Sequence, residues 1–139
     1  MVKIIPSERG QDAKGSGAFG ASRGSRIHAG VDYACFPDSK ILAVSAGKVT
    51  KLGHPYNPSD SLKGHLRYVQ VTDSDGNDVR YFYIEPSVKV DDVINVDDVL
   101  GISQDLREIY SGITPHFHFE VKKDGEVVNP HTYLRGLSQ

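Results

Sequence analysis

The chain has 139 residues, 38% of them hydrophobic, and a formal net charge of -2. That size supports one core rather than two domains, and the hydrophobic share excludes a disordered chain. The charges are scattered, leaving no basic stripe for a run of phosphates, and no apolar stretch approaches the roughly 20 residues that span a bilayer, so neither nucleic acid binding nor a membrane span is expected.

The opening MVKIIPSERG carries too short an apolar stretch for a signal peptide, whose central region has about 7–15 apolar residues. Residues 1–16 read as an N-terminal extended segment and residues 17–139 as the domain. Up to residue 27 the chain is polar and glycine-rich, and this whole stretch reads as an extended loop. From Gly30 short apolar runs alternate with turn signals. VDYACF is the first expected strand. Its Cys35 is the single cysteine, which forbids an intramolecular disulfide and reads as a small core residue. KILAVSAG and GKVTKLG follow as two strands, and HPYNPSDSLKGH, from His54 to His65, reads as a long surface loop. LRYVQVTD alternates with period two, turns at Asp75-Gly76, and returns as VRYFYIEP, stopped by Pro86. In SVKVDDVINVDDVLGIS the acidic pairs Asp91-Asp92 and Asp97-Asp98 belong at solvated turns. The only helix candidate, around DLREIY, is short. HFHFEVKK and GEVVNP form another hairpin over Asp124-Gly125, and HTYLRG fits a single helical turn. A strand about every ten residues predicts a mainly β fold: a single compact antiparallel sheet or sandwich domain with long loops.

Two histidine groups stand out among the six histidines. In His28-Ala-Gly-Val-Asp32 an imidazole precedes a carboxylate by four residues, with Gly30 allowing the backbone to bend. In His116-Phe-His118 two imidazoles sit at i and i+2, hence on one face of a strand, with Phe117 and Phe119 on the other. Imidazoles gathered on one face need partners, and two of them plus a carboxylate suit a zinc ion with an open fourth position. Histidines on an exposed sheet face are the competing reading, and spacing alone does not separate the two.

The motif order adds more. RIHAGVDYAC followed much later by PHFHFEV resembles the M23 (LytM/lysostaphin-type) zinc endopeptidases, with their H-x-G-x-D segment near the start and H-x-H-F-E segment near the end. The likeness runs from about Gly17 to Leu134 through FGASRGSRIHAG, ILAVSAGKVT, VINVDDVLG and VVNPHTYL. It implies the M23 peptidase fold with its loops around a zinc groove. It implies one Zn2+ per chain held by His28, Asp32 and His118, with His116 catalytic. One position departs from the family pattern: Tyr83, in RYFYIEP, stands where a second active-site histidine of a Tyr-x-His segment is expected. A similar Phe-Tyr-Ile-x-Pro stretch occurs in secreted vertebrate relatives regarded as signalling proteins, but this chain lacks their paired cysteines.

The resemblance implies a zinc metalloendopeptidase that cuts peptides of bacterial peptidoglycan. Tyr83 would be a second catalytic residue, donating a hydrogen bond to the oxyanion, and Arg23 and Arg26 are candidate contacts to the peptide stem. The expected setting is the bacterial cell wall, reached by lysis or on a virion, as a phage lysin or tail-associated protein, with phage tail or baseplate proteins as further partners. The competing hypothesis is a catalytically weak or inactive zinc-binding module that docks on the wall.

Overall fold

Strict alternation of apolar and polar residues along the central strands gives a sheet with one dry face. The computed structural model describes residues 22–23, 26–27, 31–34 and 137 at the level of the backbone, and residues 38–61, 63–106 and 116–136 with their side chains. The elements among these are β1 (Ser22–Arg23), β2 (Arg26–Ile27), β3 (Val31–Ala34), β4 (Lys40–Leu42), β5 (Gly47–Gly53), β6 (Tyr68–Thr72), β7 (Asn77–Phe82), β8 (Ile84–Pro86), β9 (Val93–Ile94), β10 (Val99–Ser103), β11 (His116–Lys123), β12 (Glu126–Val128) and α1 (Pro130–Leu137).

The main sheet runs β12-β11-β7-β6-β5-β9, and β3 lies against the first half of β11 beside β12. A second sheet runs β4-β10-β8, and β1 and β2 form a separate ribbon. Every pairing is antiparallel. Both hairpins over Gly76 and Gly125 form as the sequence predicts, with φ of 82° and 81° at these glycines.

One face of the main sheet buries Phe119, Tyr81 and Val69 in one cross-strand row and Val121, Val79, Val71 and Val49 in the next. Ile41, Ala43, Ile84 and Leu100 from the second sheet and its connections join this core, and Tyr133 and Leu134 of α1 pack against it. Each fully buried aliphatic or aromatic side chain contributes about 1.5–3 kcal/mol. The Tyr81 ring lies wholly inside, and its hydroxyl accepts the backbone N–H of Val44 at 3.0 Å. Burial pushes the Tyr81 hydroxyl pKa far up, so it stays protonated.

The structure departs from the sequence reading at three places. The glycine-rich stretch before residue 28 contains the β1–β2 ribbon, so it is not loop throughout. VRYFYIEP is two strands in two different sheets: β7 ends at Phe82, Tyr83 turns with φ 69°, and Ile84–Pro86 pairs with β10. The C-terminal helix is an eight-residue element rather than one turn. It starts as an Asn-Pro pair should: Pro130 supplies a preset φ, and the Asn129 carboxamide oxygen accepts the His131 N–H at 2.9 Å. Cys35 and most of the helix candidate DLREIY lie outside the described residues.

Candidate active site

β11 carries the candidate site. Phe117, Phe119 and Val121 enter the core, while His116, His118 and Glu120 share the opposite face. That face is covered as well: His116 is 3% exposed and His118 8%. Imidazoles so enclosed have to be satisfied by hydrogen bonds or by a ligand.

The register supplies their neighbours. Asp32 of β3 lies directly opposite His118, and Ala34 opposite His116. Residues directly opposite in an antiparallel pair share a face. On the other flank His118 is opposite Phe82, Phe82 opposite Tyr68, and Tyr68 opposite Gly53. A row from Asp32 through His118, Phe82 and Tyr68 to Gly53 therefore crosses five strands. Phe82 and Tyr68 stack at 4.8 Å between centroids, and Phe82 meets the His118 ring edge-on at 5.1 Å. Glycine is needed at position 53 because a Cβ there would collide with the Tyr68 ring.

β7 ends at Phe82, so none of its residues lies opposite His116. The Tyr83 ring stands beside it instead, 5.7 Å from the His116 ring at an interplanar angle of 85°, and 6.4 Å from His118. The backbone there is clamped. The N–H groups of Tyr83 and Ile84 both donate to the Arg67 carbonyl, at 2.7 and 3.2 Å. Gln104 donates its N–H to the Tyr83 carbonyl at 2.8 Å, and its side-chain oxygen accepts the Arg67 N–H at 3.0 Å. A non-glycine residue persists in the left-handed region only when its surroundings fix it this way.

Below the histidines runs a polar row in which Glu120 is opposite Arg80, Arg80 opposite Gln70, and Gln70 opposite Lys51. Arg80 Nε donates to Gln70 Oε1 at 2.8 Å. Glu120 Oε1 lies 2.9 Å from His118 Nε2, and the two side chains are 12% and 10% exposed. Burial favours the neutral form of Glu120. The His118 hydrogen bond, with the charges of Arg80 and Lys122, outweighs burial and holds the carboxyl below the usual carboxylate range.

Asp32, His116 and His118 thus hold neighbouring register positions at one end of the sheet, and the Tyr83 ring stands beside His116. His28 lies outside the described residues, as do the side chains of Asp32, Arg23 and Arg26; Arg23 and Arg26 are register partners on the β1–β2 ribbon. His54 and His65 are exposed loop residues. Among the described residues alone, no three metal-donor side chains cluster. The donor chemistry nevertheless fits zinc: a buried imidazole, a carboxylate position directly across the ladder from it, and a second buried imidazole alongside. Sequence reading gave no role to Glu120, Gln104 or Phe82. Glu120 was within reach, since it follows the histidine pair at i+2 on the same strand face, whereas the Gln104 clamp spans a loop closure that no local pattern announces.

A β domain of two antiparallel sheets, with paired histidines buried on the outer face of the larger one, defines the class. The pattern of peptidase family M23 matches residues 26–130, most of the chain, and the protein belongs to that family. It is 33% identical over 109 residues to mouse (Mus musculus) leukocyte cell-derived chemotaxin-2, covering 78% of this chain and 69% of the relative. Its fold is similar to the catalytic domain of the antimicrobial peptidase lysostaphin from Staphylococcus simulans, with TM-score 0.65, 22% identity, and 89% and 91% of the two chains covered. It is also similar to a variant of the prophage-encoded M23 protein EnpA from Enterococcus faecalis, with TM-score 0.63, 25% identity, and 84% and 87% covered.

Proposed function

We propose that this protein is a zinc-dependent endopeptidase acting on the peptides of bacterial peptidoglycan. The observation that carries the reading is the buried His116 and His118 face with Asp32 directly across from His118. His28, Asp32 and His118 hold the metal. Zinc bound there supplies Lewis acidity to polarise a scissile carbonyl. His116 accepts the proton of the attacking water and returns it to the leaving amine. Tyr83, beside His116, donates its hydroxyl proton in a hydrogen bond to the oxyanion, without the positive charge a histidine offers. The Phe82–Tyr68 stack forms an apolar floor next to His118, and Arg23 and Arg26 contact the peptide stem. Membership of a peptidase family and the likeness to a prophage-encoded M23 protein support a cell-wall enzyme of the phage lysin or tail-associated kind, with virion proteins as further partners.

A second reading is a zinc-binding module of weak or no activity. It is favoured by Tyr83 and by the likeness to chemotaxin-2. Purified protein loaded with zinc and incubated with isolated cell walls separates the two. The endopeptidase reading expects release of new amine termini, loss of that release in His116→Ala, and a gain in Tyr83→His from the positive charge a histidine adds, smaller than the roughly 10²–10³ that a whole oxyanion donor contributes. If wild type binds zinc and releases nothing while Tyr83→His does, the module reading holds for the natural protein. Failure of wild type to bind zinc sinks both.

A further inference from the structure

We infer that Glu120 is a positioning residue for His118: it accepts the His118 Nε2–H and so leaves Nδ1 as the nitrogen offered to the metal. The inference rests on the zinc reading above and extends it to a residue outside the proposed ligand set. Glu120 Oε1 and His118 Nε2 are 2.9 Å apart, and both side chains are close to fully enclosed. An ionised carboxylate has acceptors only, so the proton in this contact belongs to the imidazole. A neutral imidazole with its proton on Nε2 presents its lone pair on Nδ1, and a partner on one ring nitrogen sets which nitrogen binds a metal.

The surroundings hold the carboxylate where it is. Glu120 occupies the β11 position directly opposite Arg80, whose Nε donates to Gln70 and whose positive charge favours the ionised carboxyl. The Phe82 ring, edge-on to His118 at 5.1 Å, limits rotation from the other side. Glu120 thus sets the tautomer of His118 and Phe82 its tilt, neither belonging to the proposed ligand set. Partners of this kind typically contribute 10–100-fold in metal affinity.

Two measurements test it. Long-range proton–nitrogen NMR of the metal-free wild type, near neutral pH, is expected to assign His118 as the Nε2–H tautomer; an Nδ1–H assignment would overturn the inference whatever the protein's activity. Zinc affinity by chelator competition is expected to fall 10–100-fold in Glu120→Ala and less than about tenfold in Glu120→Gln, whose carbonyl still accepts. Unchanged affinity in Glu120→Ala would overturn the assignment. So would equal loss in both variants, which would make Glu120 a direct ligand or a bare charge. The melting temperature of each metal-free variant separates a folding defect from a metal-site defect. A wild type that binds no zinc would defeat the proposed function and leave the tautomer measurement standing on its own.

Discussion

Five non-glycine residues among those described have positive φ, and four of them are aspartates: Asp38, Asp91, Asp97 and Asp124. Aspartate tolerates that region because its short side chain bonds locally. The fifth is Tyr83, with φ 69°, and it has no such excuse. Its strain is of order 1–3 kcal/mol, held by Arg67 and Gln104. What the strain achieves is placement: the chain leaves the main sheet and sets the ring against His116. Tyr83→Gly should therefore change stability by less than about 1 kcal/mol, since relief of strain offsets the lost ring contacts. Tyr83→Val should lose about 2 kcal/mol or more, because a β-branched residue is a genuine outlier there. Urea midpoints of the two variants compare them directly, and equal losses would mean the backbone is not strained. Histidine is enriched at positive φ, so Tyr83→His suits the same turn.

Strands that alternate, and hairpins with Asp-Gly turns, were legible in the sequence, and β6, β7, β11 and β12 lie where the pattern puts them. The β7–β8 break was not. Apolar residues continue through RYFYIEP, and only the non-local bonds to Arg67 and Gln104 decide that the chain changes sheets at Tyr83. The second sheet has a tight constraint of its own. Gly101 lies in β10 between β4 and β8, and a Cβ there would run into the backbone carbonyl of Glu85. Gly101→Ala should destabilise by about 1–3 kcal/mol. It should also disturb the site, since Gln104 follows β10 directly and clamps Tyr83. Gly136 in α1 has open space around its Cβ position, so Gly136→Ala should stabilise by up to about 1 kcal/mol. Denaturation of both variants measures the contrast, and a neutral Gly101→Ala would show that β8 gives way freely.

The shared strand face of His116 and His118 was legible, because it follows from period two alone. The contacts that join distant parts of the chain were not, and the joint between the β6–β7 turn and α1 is the clearest case. The Asp73 carboxylate accepts the Tyr133 hydroxyl at 2.7 Å, across 60 residues of sequence, as well as the Asn77 and Asp75 N–H groups at 2.9 and 3.0 Å. It thereby ties the helix to the far end of the sheet from the histidines. Burial alone would raise the pKa of Asp73, but the hydrogen bonds from Asn77, Tyr133 and the turn N–H groups outweigh it and hold the carboxyl below its usual range. A carboxyl whose folded pKa is depressed stabilises the fold above its unfolded value of about 4, and the contribution fades as pH falls through the folded value. Asp73→Asn should therefore be less stable than wild type by about 1–2 kcal/mol at pH 7, a figure at the lower end for bonds to a charged group because the site is half-exposed. The gap should close on acidification below about pH 4, because protonated Asp73 then differs little from asparagine. Urea titrations of both metal-free proteins at the two pH values measure it. A gap that persists undiminished in acid would mean that geometry, rather than the negative charge, joins the helix to the turn.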